Sequence, residues 1–536
     1  MNSLNFDLVI FGAGLAGLGL AKQVLARRPS SRVCIIEKGV FPRPDAIAKV
    51  GESTVEIGSH YLTHRLNIGK YLESQHIQKF GLRLFTGVAE NIEELDEIGV
   101  SQVFGLATYQ IDRGPLENHL YQEVCNLGGV ILEAHTVEEI HLNAGGSHQL
   151  STKKCDGETV QIESSWLVDA SGRAGLIKKH LSLGQSSPHQ ANAVWFRVNQ
   201  SIKVDQWSDD HQWQQRCTPM HERWRSTNHL TGPGYWVWVI PLSCGATSIG
   251  IVMDNDVFNS ANFSRSEQTL EWLSVNQPAL STQLMHAQLL DYVVLEDYSY
   301  DCRQTFSEDR WAITGEAGRF ADPFYSPGTD FIAFANDFIS DLFCSEQDNE
   351  DIRLRARLYD SVLRDIYKNT LSLYVDQYGG FGDRILMGVK ILWDYSYYWG
   401  VLCLMYFDDQ LANINTLKQH AAVLRESQRL NLSVQECFRE RAALRIQQSP
   451  SGLFVDQYSI PCLLKFNDIL KSNDQDRTDT HLAENIEILA HISVFVRDML
   501  SDNPLRVISA HEQSLLGDYR YALMPELTID LSAPSD

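Results

Sequence analysis

The sequence contains no C-x-x-C pair, no histidines clustered around its ten cysteines, and no uncharged apolar run near the roughly 20 residues that a membrane span needs. Each absence removes a class of protein. Without paired thiolate or imidazole ligands a structural zinc is not expected. Cysteines scattered from Cys34 to Cys462 read as reduced thiols in a cytoplasm, not as a disulfide framework. The longest uncharged stretch of the aromatic run KILWDYSYYWGVLCLMYFDD, Tyr395 to Phe407, is too short to cross a bilayer and reads as a buried helix. No basic leader precedes the first apolar strand, so no signal peptide is expected. Internal repeats and low-complexity linkers are also lacking. Positive charge is scarce: 45 Lys and Arg stand against 68 Asp and Glu, a formal net charge of -23, which repels phosphate backbones and anionic membranes alike.

What is present is the pattern of a large α/β protein. At 536 residues, 44% hydrophobic and 21% charged, the chain is long enough for one composite domain or two joined ones. It begins strand, turn, helix, strand: FDLVIFG, GAGLAGLGLAKQVLARR, RVCIIEKG. TYQIDR then reads as a strand, GPLENHLYQEVCNLG as a helix, VILEAHTVEEIHL as one strand and SSWLVDASGR as another. From about 190 to 300 the segments ANAVWFRVN, YWVWVIPL and TSIGIVMD alternate with period two and predict a second, antiparallel sheet. Beyond 350 the pattern is helical and rich in Tyr and Trp, ending in a polar tail, ELTIDLSAPSD, expected to fray. The expected organisation is a core over 1–350 with the sheet interleaved at about 190–300, followed by a helical region over 351–536 that covers the substrate.

Gly12, Gly14 and Gly17 form G-x-G-x-x-G between the first strand and the first helix, and Glu37 closes the next strand. In that context glycines permit a tight turn and a close approach of a pyrophosphate to the helix N-terminus, while the carboxylate reaches ribose hydroxyls. Downstream segments favour FAD over NAD. Arg113 stands between a strand and a helix, and VDASGR places Asp169 at a strand end. No second G-x-G-x-x-G follows a strand; YGGFGDR at 378–384 reads as a helix-breaking turn, so a dedicated NAD(P)H domain is not expected. WAITGEAG, carrying Gly315 and Glu316, is similar to the second flavin-contact segment of the p-hydroxybenzoate hydroxylase-like flavoproteins, with Glu316 in place of their usual Asp.

The stretch GYWVWVIPL is more specific. Trp236 and Trp238, two residues apart, share one face of a strand, which by itself fits a packed core. Yet WVWVIP resembles the W-x-W-x-I-P signature of the flavin-dependent halogenases, the tryptophan-halogenase superfamily, and other segments agree in order. KVGESTV at 49–55 is similar to that family's G-E-[AS] segment, HIQKFG puts Lys79 where the family has its catalytic lysine, and Phe320, Pro323, Ser326 and Gly328 fit F-x-x-P-x-x-S-x-G. A lone lysine would otherwise read as a solvated surface residue. The resemblance covers roughly residues 5 to 410. It implies an FAD-dependent oxidoreductase of secondary-metabolite biosynthesis: a Rossmann-like FAD-binding domain, three-layer ββα, with an inserted antiparallel-sheet substrate region and a helical C-terminal region.

The chemistry so implied uses FADH2, delivered by a separate flavin reductase, and O2 to form a flavin C4a-hydroperoxide that a chloride or bromide attacks. Lys79 then delivers the hypohalous acid to the substrate. Trp236 and Trp238 wall flavin from substrate, Ser326 counts with them and Lys79 among the catalytic residues, and the amides of Gly328 and Thr329 bind the halide. Two departures shape the expectation. The glutamate with which tryptophan halogenases orient indole is missing from Tyr325-Ser326-Pro327-Gly328, which points to a phenol- or pyrrole-like aromatic, free or tethered to a carrier protein. Pro327 has no N-H to offer a halide; without halide binding, the alternative is an aromatic monooxygenase on the same scaffold.

Overall fold

A computed structural model describes residues 3–527 apart from 46, 48, 473, 475 and 505–508. The chain divides into two units. The first comprises Met1–His76, Ile111–Pro188 and Ser299–Lys368; the second comprises Ile77–Gln110, His189–Tyr298 and Asn369–Asp536. The break between core and following helices thus falls at 368/369, and the segment 77–110 groups with the sheet of the second unit.

The first unit is built on a seven-stranded sheet. Its order is Val130–Leu132, Val33–Ile36, Leu4–Phe11, Thr159–Asp169, His148–Lys154, His135–His141, with Trp311–Ile313 also pairing Thr159–Asp169. The central pairings are parallel, as apolar runs such as LVIF and VCII require when both faces are covered. The helix Leu15–Arg27 packs against Arg113–Asn126 and Gly328–Gln347. The stretch VILEAHTVEEIHL is two strands and not one: Ala134 takes φ +58, turning the chain from a parallel edge into an antiparallel pairing with His148–Lys154.

The second unit carries an eight-stranded sheet ordered Leu289–Leu295, Ala191–Val198, Thr247–Asp254, Tyr235–Pro241, Thr227–Gly232, Leu82–Thr86, Asp96–Gly99, Phe454–Asp456. It is antiparallel except where Thr227–Gly232 meets Leu82–Thr86 and where Phe454–Asp456 meets Asp96–Gly99. The sheet therefore recruits strands from outside 190–300. One face presents Phe85, Val194, Phe196, Leu230, Val237, Val239, Ile249 and Ile251 to a core completed by Leu273, Leu280 and Leu284. Period-two alternation then commits the opposite face to Trp195, His229, Trp236, Trp238 and Ser248.

In the helical region the aromatic run lies in Arg384–Tyr397, continued by a π-helical stretch, Tyr398–Cys403, and Leu404–Phe407. Trp393 is fully buried and donates its indole N-H to Asn431 Oδ1 at 2.9 Å, so it belongs to helix-on-helix packing. YGGFGDR is the expected break: a single 3-10 turn, Tyr378–Gly380, precedes Asp383, whose carboxylate caps the next helix. No helix among the described residues is long and apolar enough to cross a membrane. Of the tail, Glu526 and Leu527 sit in the 3-10 turn Pro525–Leu527, and the remainder lies outside the described residues.

Candidate active site

In the first unit the parallel register ends Phe11, Ile36, Asp169 and Ile313 side by side. The residues that follow share one carboxyl edge, and this is where the Gly-rich turn and Gly315 meet. Gly12, at φ +101, donates its N-H to Ile36 O at 2.8 Å. A β carbon on Gly12 would fall 2.6 Å from Ala170 O, and one on Gly17 would fall 2.0 Å from Gly12 O. Gly14 caps the 13-residue helix Leu15–Arg27 without any side-chain bond, which leaves first-turn amides open to an anion. The cradle therefore fits a dinucleotide pyrophosphate.

Glu37 accepts N-H bonds from Ala13 and Gly39, both at 2.7 Å, and pairs with Arg43 at 2.9 Å. Burial opposes its ionisation, but these two amides and the guanidinium outweigh it and hold the carboxyl below the usual range. Asp169 accepts from Ser171 N, Ser171 Oγ and Ile177 N, so its carboxylate holds the turn leaving its own strand. Burial pushes it up in spite of those donors. Arg113 starts its helix and binds Val50 O at 2.9 Å and Glu117 at 2.8 Å. Lys49 pairs with the other oxygen of the fully buried Glu117 at 2.6 Å, and both Glu117 and Lys49 lie 3.8 Å from where a Gly14 β carbon would be. Gly315, at φ +58, opens a short turn in which Glu316 reaches Arg173 at 3.4 Å.

The loop through Pro323 and Ser326 also belongs to this unit. Ser326 takes φ +56, and Pro327 is the N-cap of the 20-residue helix Gly328–Gln347. A cap needs no N-H, so the proline removes no donor from the helix, and its carbonyl takes the first intrahelical bond, from Phe331. The first-turn amides are those of Gly328 and Thr329, and a β carbon at 328 would meet nothing within 4 Å. Asp322 accepts from Phe324 N and Asp330 from Gly58 N, both at 2.8 Å, so each flanking carboxylate is engaged within the fold.

In the second unit Trp236 and Trp238 are 1% and 5% exposed, with ring centroids 5.6 Å apart. Trp238 donates to Ser248 Oγ at 3.2 Å, and Trp195 donates to the same oxygen at 2.9 Å. His229 faces Trp238 in register, and its ring lies 4.8 Å from that of Trp236. Lys79 is 6% exposed, so it is not a solvated lysine. Burial, reinforced by the Lys79 charge, pushes the His229 imidazole down to about 3. Sequence reasoning missed Trp195, His229, Ser248, Lys49 and Glu117. Trp195 and Ser248 sit in the alternating strands ANAVWFRVN and TSIGIVMD, and Lys49 opens the KVGESTV segment, so those three lay within stretches that stood out; Glu117 and His229 carried no signal of their own. No disulfide joins any of the ten cysteines, and no group of His, Cys, Asp and Glu among the described residues could hold a metal ion.

No family model matches the chain. A flavin-dependent halogenase of Dictyostelium discoideum is 25% identical over 435 residues, covering 74% of this chain and 70% of that protein. A 1H-pyrrole-2-carbonyl-[peptidyl-carrier protein] chlorinase of Pseudomonas fluorescens is 22% identical over 390 residues, 69% of this chain and 82% of that one. In fold, the chain is similar to the halogenase PltM in complex with phloroglucinol and FAD, at TM-score 0.65 and 17% identity, covering 96% and 98% of the two chains. With a glycine cradle, a twin-tryptophan strand and an enclosed lysine in place, the chain is similar to the flavin-dependent halogenases, and these relatives indicate an FAD-dependent oxidoreductase.

Proposed function

We propose that this enzyme halogenates an electron-rich aromatic, phenol- or pyrrole-like, with Lys79 delivering the electrophile. The observation that carries the reading is Lys79 itself: a lysine withdrawn from solvent, whose charge acts on a histidine beside Trp236. Bound reduced FAD, with O2, supplies the oxidising equivalents that convert a chloride or bromide into a hypohalous acid. The chain's own residues do the rest. Gly12, Gly14 and Gly17 bring backbone amides to the pyrophosphate, Glu37 faces the ribose, and Arg113, Asp169, Gly315 and Glu316 fix the turns around it. The amides of Gly328 and Thr329 hold the halide beyond the Ser326 turn. Trp236 and Trp238, with Trp195 behind them, exclude water and keep oxidant from substrate. Indoles serve poorly as acids or bases, so their part is steric. The helical region covers the aromatic substrate, which is free or carrier-tethered, and a separate reductase supplies FADH2.

The test combines reduced FAD, O2 and bromide with a panel of phenols and pyrroles, products being read by mass spectrometry. Brominated product that disappears in Lys79→Ala, while flavin oxidation continues, is the expected result. Product formed without halide, carrying oxygen-18 from O2, would instead establish the monooxygenase.

A further inference from the structure

Lys79 is held by its neighbours rather than by its own element. Its N-H donates to Thr108 O at 2.8 Å. On either side of it, the backbone is tied to one short segment, residues 225–227. Gln78 O accepts Arg225 Nε at 2.8 Å, Phe80 N-H donates to Arg225 O at 3.2 Å, Phe80 O accepts Ser226 Oγ at 2.9 Å, and Gly81 O accepts Thr227 N-H at 3.0 Å.

That segment is in turn anchored in a buried ion cluster. Arg223, fully enclosed, donates Nε to Glu97 Oε1 at 2.8 Å and Nη2 to Trp213 O at 2.6 Å, and its guanidinium lies 3.9 Å from the Trp213 ring centre. Glu97 also pairs with the buried Arg83 and with Arg216. Burial would push Glu97 up, but the arginines together hold it below the usual carboxylate range. Such a cluster gives little net stability for its cost, while it fixes geometry well.

We propose that Arg225 is a positioning residue for Lys79: its Nε bond to the Gln78 carbonyl transmits the rigidity of the Glu97-Arg223 turn to the lysine. The inference rests on Lys79 being the delivering residue. Arg225 differs from Arg223 in that its side chain is only part buried and its ion pair with Glu222, at 2.7 Å, is of a kind that contributes little to stability. Removing it should therefore disturb the placement of Lys79 more than the fold. Misplacing a catalytic group by an ångström can cost far more in rate than in stability.

The experiment uses the full chain with reduced FAD, O2, bromide and the phenol and pyrrole panel, and compares Arg225→Met, Arg225→Lys, Glu222→Gln and Lys79→Ala. Brominated product per flavin oxidised, melting temperature, and the rate at which an amine-acylating reagent modifies Lys79, read by peptide mass, are measured for each. Both Arg225 variants are expected to lose product per flavin on the order of tenfold, with melting temperature and flavin oxidation near wild type and with faster acylation of Lys79. Glu222→Gln should match wild type, because the Nε bond survives without the ion pair. Arg225 variants with wild-type coupling and unchanged Lys79 acylation, beside an inactive Lys79→Ala, overturn this inference alone. A loss matched by an equal fall in melting temperature overturns it as a merely structural effect. Undiminished bromination by Lys79→Ala sinks both it and the reading of Lys79.

Discussion

Trp238 lies across Gly250: the two residues are register partners on adjacent strands, and a β carbon at position 250 would fall 2.1 Å from the indole. The glycine is what lets the larger ring lie flat against the sheet. Gly250→Ala should force the indole off its rotamer at a cost of about 1–3 kcal/mol. Urea unfolding measures the loss, and a wild-type midpoint would show that the ring can move aside freely.

Ser248 Oγ accepts both the Trp195 and the Trp238 N-H. Ser248→Ala would leave two enclosed donors without that acceptor, at about 1–3 kcal/mol for each group left unsatisfied. Ser248→Thr keeps the oxygen and should cost less. Denaturation curves separate the two variants, and tryptophan emission, sensitive to the surroundings of both rings, should shift in the alanine variant more than in the threonine one.

The same face shows what a sequence can and cannot carry. Steric necessity leaves a mark: Gly12 and Gly17 cannot be other residues when a carbonyl lies within 3 Å of their missing β carbons, so the turn was readable. Local periodicity also survives, which is why Trp236 and Trp238 could be put on one face and YGGFGDR read as a break. Relations made by distant segments leave no such mark. Phe454–Asp456 joins the sheet as three residues, too few to show alternation, and Leu82–Thr86 is buried at every position, so its polar Arg83 and Thr86 mark no solvent face. The enclosure of Lys79 depends on residues 108 and 225–227. Pro327 has no donor to offer, and its place at a helix cap makes that lack harmless to the helix itself. The split of VILEAHTVEEIHL came down to one residue, Ala134, with positive φ.

His229 makes a prediction about acid. Its imidazole is pushed down to about 3 by burial and by Lys79, so between that value and the ordinary 6.5 the unfolded chain binds a proton that the folded chain does not. The sign follows: stability is full above the unfolded value and falls as pH drops below it. The slope from this one group approaches roughly 1.4 kcal/mol per pH unit. His76, pushed down to about 4 by burial although Asp112 draws it upward, adds in the same direction. Replacing the imidazole in His229→Asn should flatten the fall between roughly pH 6 and pH 4, seen in chemical-denaturation midpoints taken across that range. Parallel curves for wild type and variant would mean that His229 titrates normally.

Flavin binding should fail at Gly17 before it fails at any charged residue of the cradle. A β carbon there meets the Gly12 carbonyl at 2.0 Å, and Gly12 is itself bonded to Ile36 O, so neither partner can retreat without breaking the turn at the sheet edge. Gly17→Ala must displace the Gly-rich loop or the start of Leu15–Arg27, and either shift takes the open amides away from the pyrophosphate. Glu37→Gln is milder, since an amide oxygen can still accept from Ala13 or Gly39 while only the Arg43 pair is weakened. Titrating each variant with FAD and following flavin fluorescence should therefore rank affinity as wild type, then Glu37→Gln, then Gly17→Ala with binding lost. Tight binding by Gly17→Ala would place the cofactor away from this turn.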